Sequence, residues 1–135
     1  MKRISVLRKI GEHQKSYVRL LVIPRTLLAD TVRRVAILSN ILTHQVKFSI
    51  SKNTLQLSAT NVDLGGEAVE KLPCQYDGEE MEIGYNAVYI LDILKQMNGD
   101  EVKFALSTAV SAAVVTSMEP NPPYLCLVMP LRLAD

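Results

Sequence analysis

Met81-Glu82-Ile83-Gly84-Tyr85-Asn86, running into Ala87-Val88-Tyr89-Ile90-Leu91-Asp92-Ile93-Leu94-Lys95-Gln96-Met97-Asn98-Gly99, holds the clearest structural signal in the chain. Met81, Ile83 and Tyr85 alternate with Glu80 and Glu82, the period-two pattern of a half-buried strand. The period then changes. Ile90, Ile93, Leu94 and Met97 follow i, i+3, i+4, i+7, which predicts a helix with Asp92, Lys95 and Gln96 on its wet face. Asn86 stands at the junction as the N-cap, and Asn98-Gly99 marks the far end. Three strands are expected beyond it, at Glu101 to Leu106, Val110 to Val115 and Tyr124 to Met129, the last after the turn Pro120-Asn121-Pro122-Pro123.

The same order of elements stands earlier in the chain. A helix opens at Thr26, read as an N-cap after Pro24, with Leu28, Val32, Val35 and Ser39 on one stripe and Asp30, Arg33 and Arg34 opposite. Val46, Phe48 and Ile50 then alternate with polar residues, and past the Lys52-Asn53 turn so do Leu55, Leu57 and Ala59, giving a hairpin. A weaker strand is expected from Ala68 to Leu72, between Gly65-Gly66 and Pro73. The opening strand of this half would be Tyr17 to Ile23, which is apolar but lacks alternation. Strand, helix and a run of antiparallel strands thus occur twice. The expected class is α+β, with antiparallel sheet on one side and both helices packed on the other.

At 135 residues, 48% hydrophobic and 21% charged, the chain has the composition of one globular domain. No apolar run approaches the roughly 20 residues of a membrane span, so a soluble protein without a membrane partner is expected. Cys74 and Cys126 form no CxxC, and with two separated histidines they supply no zinc spacing; reduced thiols in a cytoplasm are expected, with Cys126 as a small buried hydrophobe. Net charge is +1, but Lys2, Arg3, Arg8, Lys9, Lys15 and Arg19 crowd the start while Asp63, Glu67, Glu70, Asp77, Glu79, Glu80 and Glu82 fill the middle. The basic start is open to three readings: a nucleic-acid arm, an amphipathic targeting helix, or a solvated tail.

Catalytic constellations are missing from the sequence. It contains no GxGxxG, Walker A run, GxSxG or HExxH, and the acidic residues show no metal spacing. Neither His13 nor His44 has a nucleophile or acid at a telling distance along the chain. No enzyme activity, cofactor or metal is expected. The remaining signals are surfaces: Arg33, Arg34 and Lys95 on the wet helix faces, suited to phosphate rather than bases, and the apolar ending Leu127-Val128-Met129-Pro130-Leu131-Arg132-Leu133. That ending either closes the core or lines a groove for a partner peptide.

Four blocks carry a family resemblance: Arg34-Val35-Ala36-Ile37-Leu38-Ser39-Asn40, Met81-Glu82-Ile83-Gly84-Tyr85-Asn86, Tyr89-Ile90-Leu91-Asp92-Ile93-Leu94 and Val128-Met129-Pro130-Leu131-Arg132-Leu133. With their spacing, they make residues 26–133 similar to the C-terminal domain of bacterial sliding clamps, the beta subunit of DNA polymerase III. The resemblance implies a DNA clamp domain, and in the full-length family a homodimeric ring around double-stranded DNA, bound without regard to sequence. By position and charge Arg33, Arg34 and Lys95 would face the DNA. It also implies a groove for short peptides of the polymerase III catalytic subunit, the clamp loader and repair proteins, at Asn86, Tyr89, Val110, Leu127, Val128, Met129, Pro130, Leu131 and Arg132. Ile37 and Leu38 match the family's subunit interface, with Glu67 and Glu70 as acidic partners there.

The sequence also departs from the family pattern. Residues 1–25 match poorly, so a basic N-terminal segment is separated from a clamp domain at 26–135. Ile41-Leu42 stands where the family commonly has Glu-Lys, making that loop unusually apolar. The resemblance covers one of three clamp domains, so this chain is expected not to close a normal ring alone. A truncated product acting as a small DNA-binding or decoy partner-binding module is the alternative.

Overall fold

The hairpin forms where alternation placed it. In the computed structural model, which describes residues 18–119, 122 and 125–133, β2 (Gln45–Ser51) and β3 (Thr54–Asn61) pair antiparallel across the Lys52-Asn53 turn. Asn53 adopts a positive φ of 55° there, a conformation asparagine tolerates better than most residues. Val46, Phe48, Ile50, Leu55 and Leu57 are buried, so one face of the hairpin is core.

Around it the order is β1 (Arg19–Pro24), α1 (Arg25–Ala36), the hairpin, β4 (Gly66–Pro73), β5 (Met81–Asn86), α2 (Ala87–Gln96), β6 (Glu101–Leu106), β7 (Ala113–Ser117) and β8 (Cys126–Val128). The strands form two four-stranded antiparallel sheets, β1-β6-β7-β8 and β4-β3-β2-β5. Each half of the chain lends its first strand to the sheet of the other half. The doubled unit is therefore interlocked, not two lobes in series. α1 and α2 pack against each other, and α1 touches strands of both sheets. The layered α+β arrangement is the expected one, with the sheet layer divided in two.

Aromatic rings join the sheets. Phe48 of β2 meets Tyr85 of β5 edge-on at 5.1 Å and, across to the other sheet, Phe104 of β6 at 6.4 Å. All three are at most 1% exposed, the setting in which aromatic burial contributes most. Burial also pushes the Tyr85 phenol well above the usual tyrosine range, and its hydroxyl has no hydrogen-bond partner among the described residues.

Several boundaries differ from the sequence reading. Thr26 is not the cap of α1: Pro24 is the N-cap residue, without a side-chain bond. The helix start is held instead by Arg25, whose N–H donates to Asp100 O at 2.7 Å and whose Nε donates to Gly99 O at 2.9 Å. Val110 lies outside any strand, because Thr108 and Ser111 close a turn through their hydroxyls at 2.6 Å. β7 accordingly begins at Ala113. Cys126 is half-buried instead of buried. Arg19–Pro24, ahead of the boundary drawn at residue 26, is a full strand paired with β6 from Arg19↔Leu106 to Pro24↔Glu101. The basic arm before residue 18, His13, and Tyr124 with most of its preceding turn lie outside the described residues.

Candidate functional site

Beyond β8 the chain turns back across the end of β5. Leu131 N donates to Gly84 O at 2.7 Å, an antiparallel bridge on the strand's free side. Leu133 then covers Gly84: a Cβ placed there would sit 2.9 Å from Leu133 Cδ2, 3.1 Å from Leu131 O and 3.2 Å from Gln45 Nε2. Only glycine admits the tail this closely. Sequence reading missed Gly84 as a site residue, although a glycine inside an alternating strand is a recognisable sign of close backbone approach.

Several of the expected groove residues lie along the elements that this stitch joins. Two residues past Gly84, Asn86 caps α2, its Oδ1 accepting from Val88 N at 2.8 Å and Tyr89 N at 3.3 Å. The cap leaves Tyr89 on the first turn, 61% exposed. Along the tail, Val128 is buried as the core anchor, paired with Ala113, while Met129 is 64% exposed and Leu127 36%. Pro130 and Leu131 are half-buried and Arg132 is exposed. Val110, exposed in the turn that precedes Ala113, lies toward the same end of β7 as Val128. A buried Val128 between exposed Leu127 and Met129 makes an apolar shelf along the tail, and Arg132 adds a cation able to take a carboxylate.

The helical face is less uniform than its sequence suggested. Lys95 is exposed on the last turn of α2 and forms no ion pair among the described residues. Arg33 pairs with Asp30 at 2.8 Å, one helical turn back. Arg34 reaches β4 and binds Glu70 through two bonds, Nε to Oε2 at 3.0 Å and Nη2 to Oε1 at 2.9 Å. That hydrogen bonding, helped by the guanidinium charge, holds the Glu70 carboxyl below the usual glutamate range. Arg34 and Glu70, read as belonging to two different surfaces, thus form one tie between α1 and β4. No sequence pattern links positions 36 residues apart.

At the same C-terminal end of α1, Ile37 is 75% exposed, while Leu38 lies against Gly66 at the start of β4. Glu67 is exposed beside it. The loop after α1 is fastened to the β3–β4 loop by Asn61 Nδ2 donating to Ser39 O at 3.2 Å, and Ile41, Leu42, Val62 and Leu64 project from these two loops. Among the described residues no group of three metal-ligating side chains converges, and no helix is long and apolar enough to cross a membrane.

Comparison with known proteins places this geometry. The model of the DNA polymerase III beta subunit, C-terminal domain, matches residues 14–132. The chain belongs to that family. The beta sliding clamp of Haemophilus influenzae is 34% identical over 109 residues, covering 79% of this chain and 29% of the relative. That of Proteus mirabilis is 38% identical over 107 residues, with 79% and 29% covered. A crystal structure of the Pseudomonas aeruginosa sliding clamp matches with a TM-score of 0.81 at 35% identity, covering 85% of this chain and 31% of that one. Another structure of the Pseudomonas clamp is bound to griselimycin. This clamp domain therefore spans less than a third of the length of those relatives, and the interlocked double unit described above is the clamp-domain fold.

Proposed function

We propose that this chain is a DNA replication processivity factor of the sliding-clamp kind, or one domain of such a factor, whose C-terminal groove takes short peptides of polymerase, clamp-loader and repair proteins. It is an accessory element of the polymerase III holoenzyme and performs no chemistry of its own. One observation carries the reading: next to the Gly84–Leu131 stitch a buried Val128 stands between exposed Leu127 and Met129, on a tail bridged to the strand that leads into α2 and its exposed Tyr89. A shelf of that kind suits Leu and Phe anchors of an extended peptide. In a ring of such domains Lys95 and Arg33 would meet phosphate on the helical face, giving binding that is independent of sequence and weakened by salt. Ile37, Leu38 and Glu67 would contact a neighbouring clamp domain. Glu70, occupied by Arg34, shapes that surface instead of projecting from it.

The test is fluorescence anisotropy of a labelled peptide with a Gln-Leu-x-Leu-Phe core. Saturable binding is expected, and it should be lost in the Tyr89→Ala/Met129→Ala double variant. Both side chains are mostly exposed, so the variant should fold normally. Binding that survives the double substitution would refute the groove assignment.

A further inference from the structure

Six asparagines stand in the chain, at positions 40, 53, 61, 86, 98 and 121. The fold occupies four of their side chains. Asn40 Oδ1 accepts from Leu42 N at 2.7 Å, Asn53 Oδ1 from Tyr76 N at 3.2 Å, Asn61 Oδ1 from Leu64 N at 3.1 Å and Asn86 Oδ1 from Val88 N at 2.8 Å. Asn121 lies outside the described residues and precedes Pro122. Asn98 differs. It is exposed just past Met97, the C-cap of α2, and its side chain makes no hydrogen bond among the described residues.

The residue after Asn98 makes this freedom reactive. Gly99 is exposed, has a φ of 87°, and has open space where a Cβ would stand. Its N–H has no backbone acceptor among the described residues. Gly99 N can therefore approach Asn98 Cγ and close a five-membered ring, an attack within one chain that needs no second molecule to be positioned. The other described asparagines are followed by Ile41, Thr54, Val62 and Ala87, whose side chains crowd the same nitrogen. Ala87 N is also engaged, donating to His44 O at 2.8 Å, and Pro122 has no N–H to lose.

We propose that Asn98-Gly99 is a self-modifying site, at which the asparagine loses ammonia and becomes aspartate or isoaspartate, and that the isoaspartyl form loosens the start of α1. Gly99 N gives its proton to base in the solvent and attacks Asn98 Cγ. The N–Cγ bond forms, the Cγ–Nδ2 bond breaks, and Nδ2 takes up a proton and leaves as ammonia. Water then opens the ring. Opening at Cγ gives aspartate on an unchanged backbone, whereas opening at the Asn98 main-chain carbonyl gives isoaspartate, with the backbone running through the former side chain and longer by one carbon. That extra atom falls in the turn that seats α1: Gly99 O accepts from Arg25 Nε at 2.9 Å, Asp100 O accepts from Arg25 N at 2.7 Å, and Glu101 opens β6 opposite Pro24. Either product also places a carboxylate at the C-terminal end of α2, beside Asp100 and Glu101, where negative charge is disfavoured. The inference rests on this turn and is independent of the peptide groove.

Ageing the whole folded chain in warm, mildly alkaline buffer, followed by peptide mapping with mass spectrometry, tests it. Asn98 should convert ahead of every other asparagine and yield both isomers, which fragmentation distinguishes. Asn98→Gln should stop the conversion, because its longer side chain would have to close a larger ring; the position is exposed, so the variant should fold normally. The isoaspartyl fraction, separated by its added negative charge and its isomer form, should show hydrogen exchange at the Arg25 amide about tenfold faster or more than the unaged chain. Asn98→Asp adds the charge without lengthening the backbone, and should keep that amide protected. Conversion at Asn98 no faster than at the other asparagines would overturn the proposal. So would an isoaspartyl fraction whose Arg25 amide exchanges as slowly as the parent's, or an Asn98→Asp variant that exchanges as fast as the isoaspartyl form.

Discussion

Replacing Gly84 by alanine tests whether the tail's position makes the groove. The new methyl would meet Leu131 O at 3.1 Å, a backbone atom, and Leu133 Cδ2 at 2.9 Å. Leu133 can rotate, but the carbonyl moves only with the chain that carries Pro130 and Arg132. Overpacking of this kind costs about 1–3 kcal/mol. The molecule can relieve it by releasing the bond from Leu131 N to Gly84 O, itself contributing about 1 kcal/mol. Since no core element must shift, the expected result is a folded domain with a lifted tail. Hydrogen exchange at the Leu131 amide should then accelerate about tenfold or more, the equivalent of about 1.4 kcal/mol of local opening. Peptide affinity should fall with it, while thermal unfolding changes by only a few degrees. Leu133→Ala in the same background removes the closest contact and should restore part of the protection. Unchanged exchange at Leu131 in Gly84→Ala, with peptide affinity intact, would refute the claim that Gly84 seats the groove.

Asn86→Ala removes the side-chain cap of α2, leaving the Val88 and Tyr89 amides without their acceptor; about 1 kcal/mol of stability should be lost in urea denaturation, with weaker peptide binding because Tyr89 sits on that turn. Tyr85→Phe deletes a buried hydroxyl that has no partner among the described residues, so denaturation should show stability equal to or above the parent by about 1 kcal/mol; a clear loss would mean the hydroxyl is satisfied. Arg34→Gln should return the Glu70 titration, followed by carboxyl chemical shift, to the ordinary glutamate range. Because the folded carboxyl is held below its unfolded value, the Arg34–Glu70 tie is present above the usual glutamate range and is lost as pH falls through the folded value. Acid should therefore loosen α1 from β4 in the parent and have a smaller effect there in the variant.

Features that depend on neighbours along the chain were legible in the sequence. The alternation of Val46, Phe48 and Ile50, the helical stripe from Ile90 to Met97 and the Asn86 cap each need only a few adjacent residues, and each is present in the fold. The start of α1 is not legible in this way because its anchor is distant: Arg25 is held by Gly99 and Asp100, far down the chain. Val110 reads as strand because Val110-Ser111-Ala112-Ala113 continues an apolar run, and only the Thr108–Ser111 bond reveals the turn. The exchange of β1 and β5 between halves, and the Arg34–Glu70 tie, are tertiary facts that no local period encodes. Of the proposed groove, the chemical identities were readable, and the alternating strand marked Gly84 for close approach, but the tail that Gly84 seats is a tertiary contact that no local pattern shows.

The repeat explains why the groove lies where it does. Val22 is the fourth residue of β1 and Gly84 the fourth of β5; each pairs with the third residue of the strand following a helix, Lys103 in β6 and Lys47 in β2. On its other side each receives one antiparallel bridge from the segment after a half's last strand, Gln75 for Val22 and Leu131 for Gly84. The two positions are equivalent in the fold. They differ in the course of the chain beyond the bridge. After Gln75 the chain buries Tyr76 and leads into β5, so that junction is filled by structure. After Leu131 it presents Arg132 to solvent and folds Leu133 over the strand, which is why this site carries glycine where its counterpart carries valine. A bridge that serves only packing in the first half thus becomes, in the second, the support of an exposed apolar shelf. The backbone of the shelf is set by the repeat, and the recognition chemistry proposed for it by Tyr89 and residues 127–132.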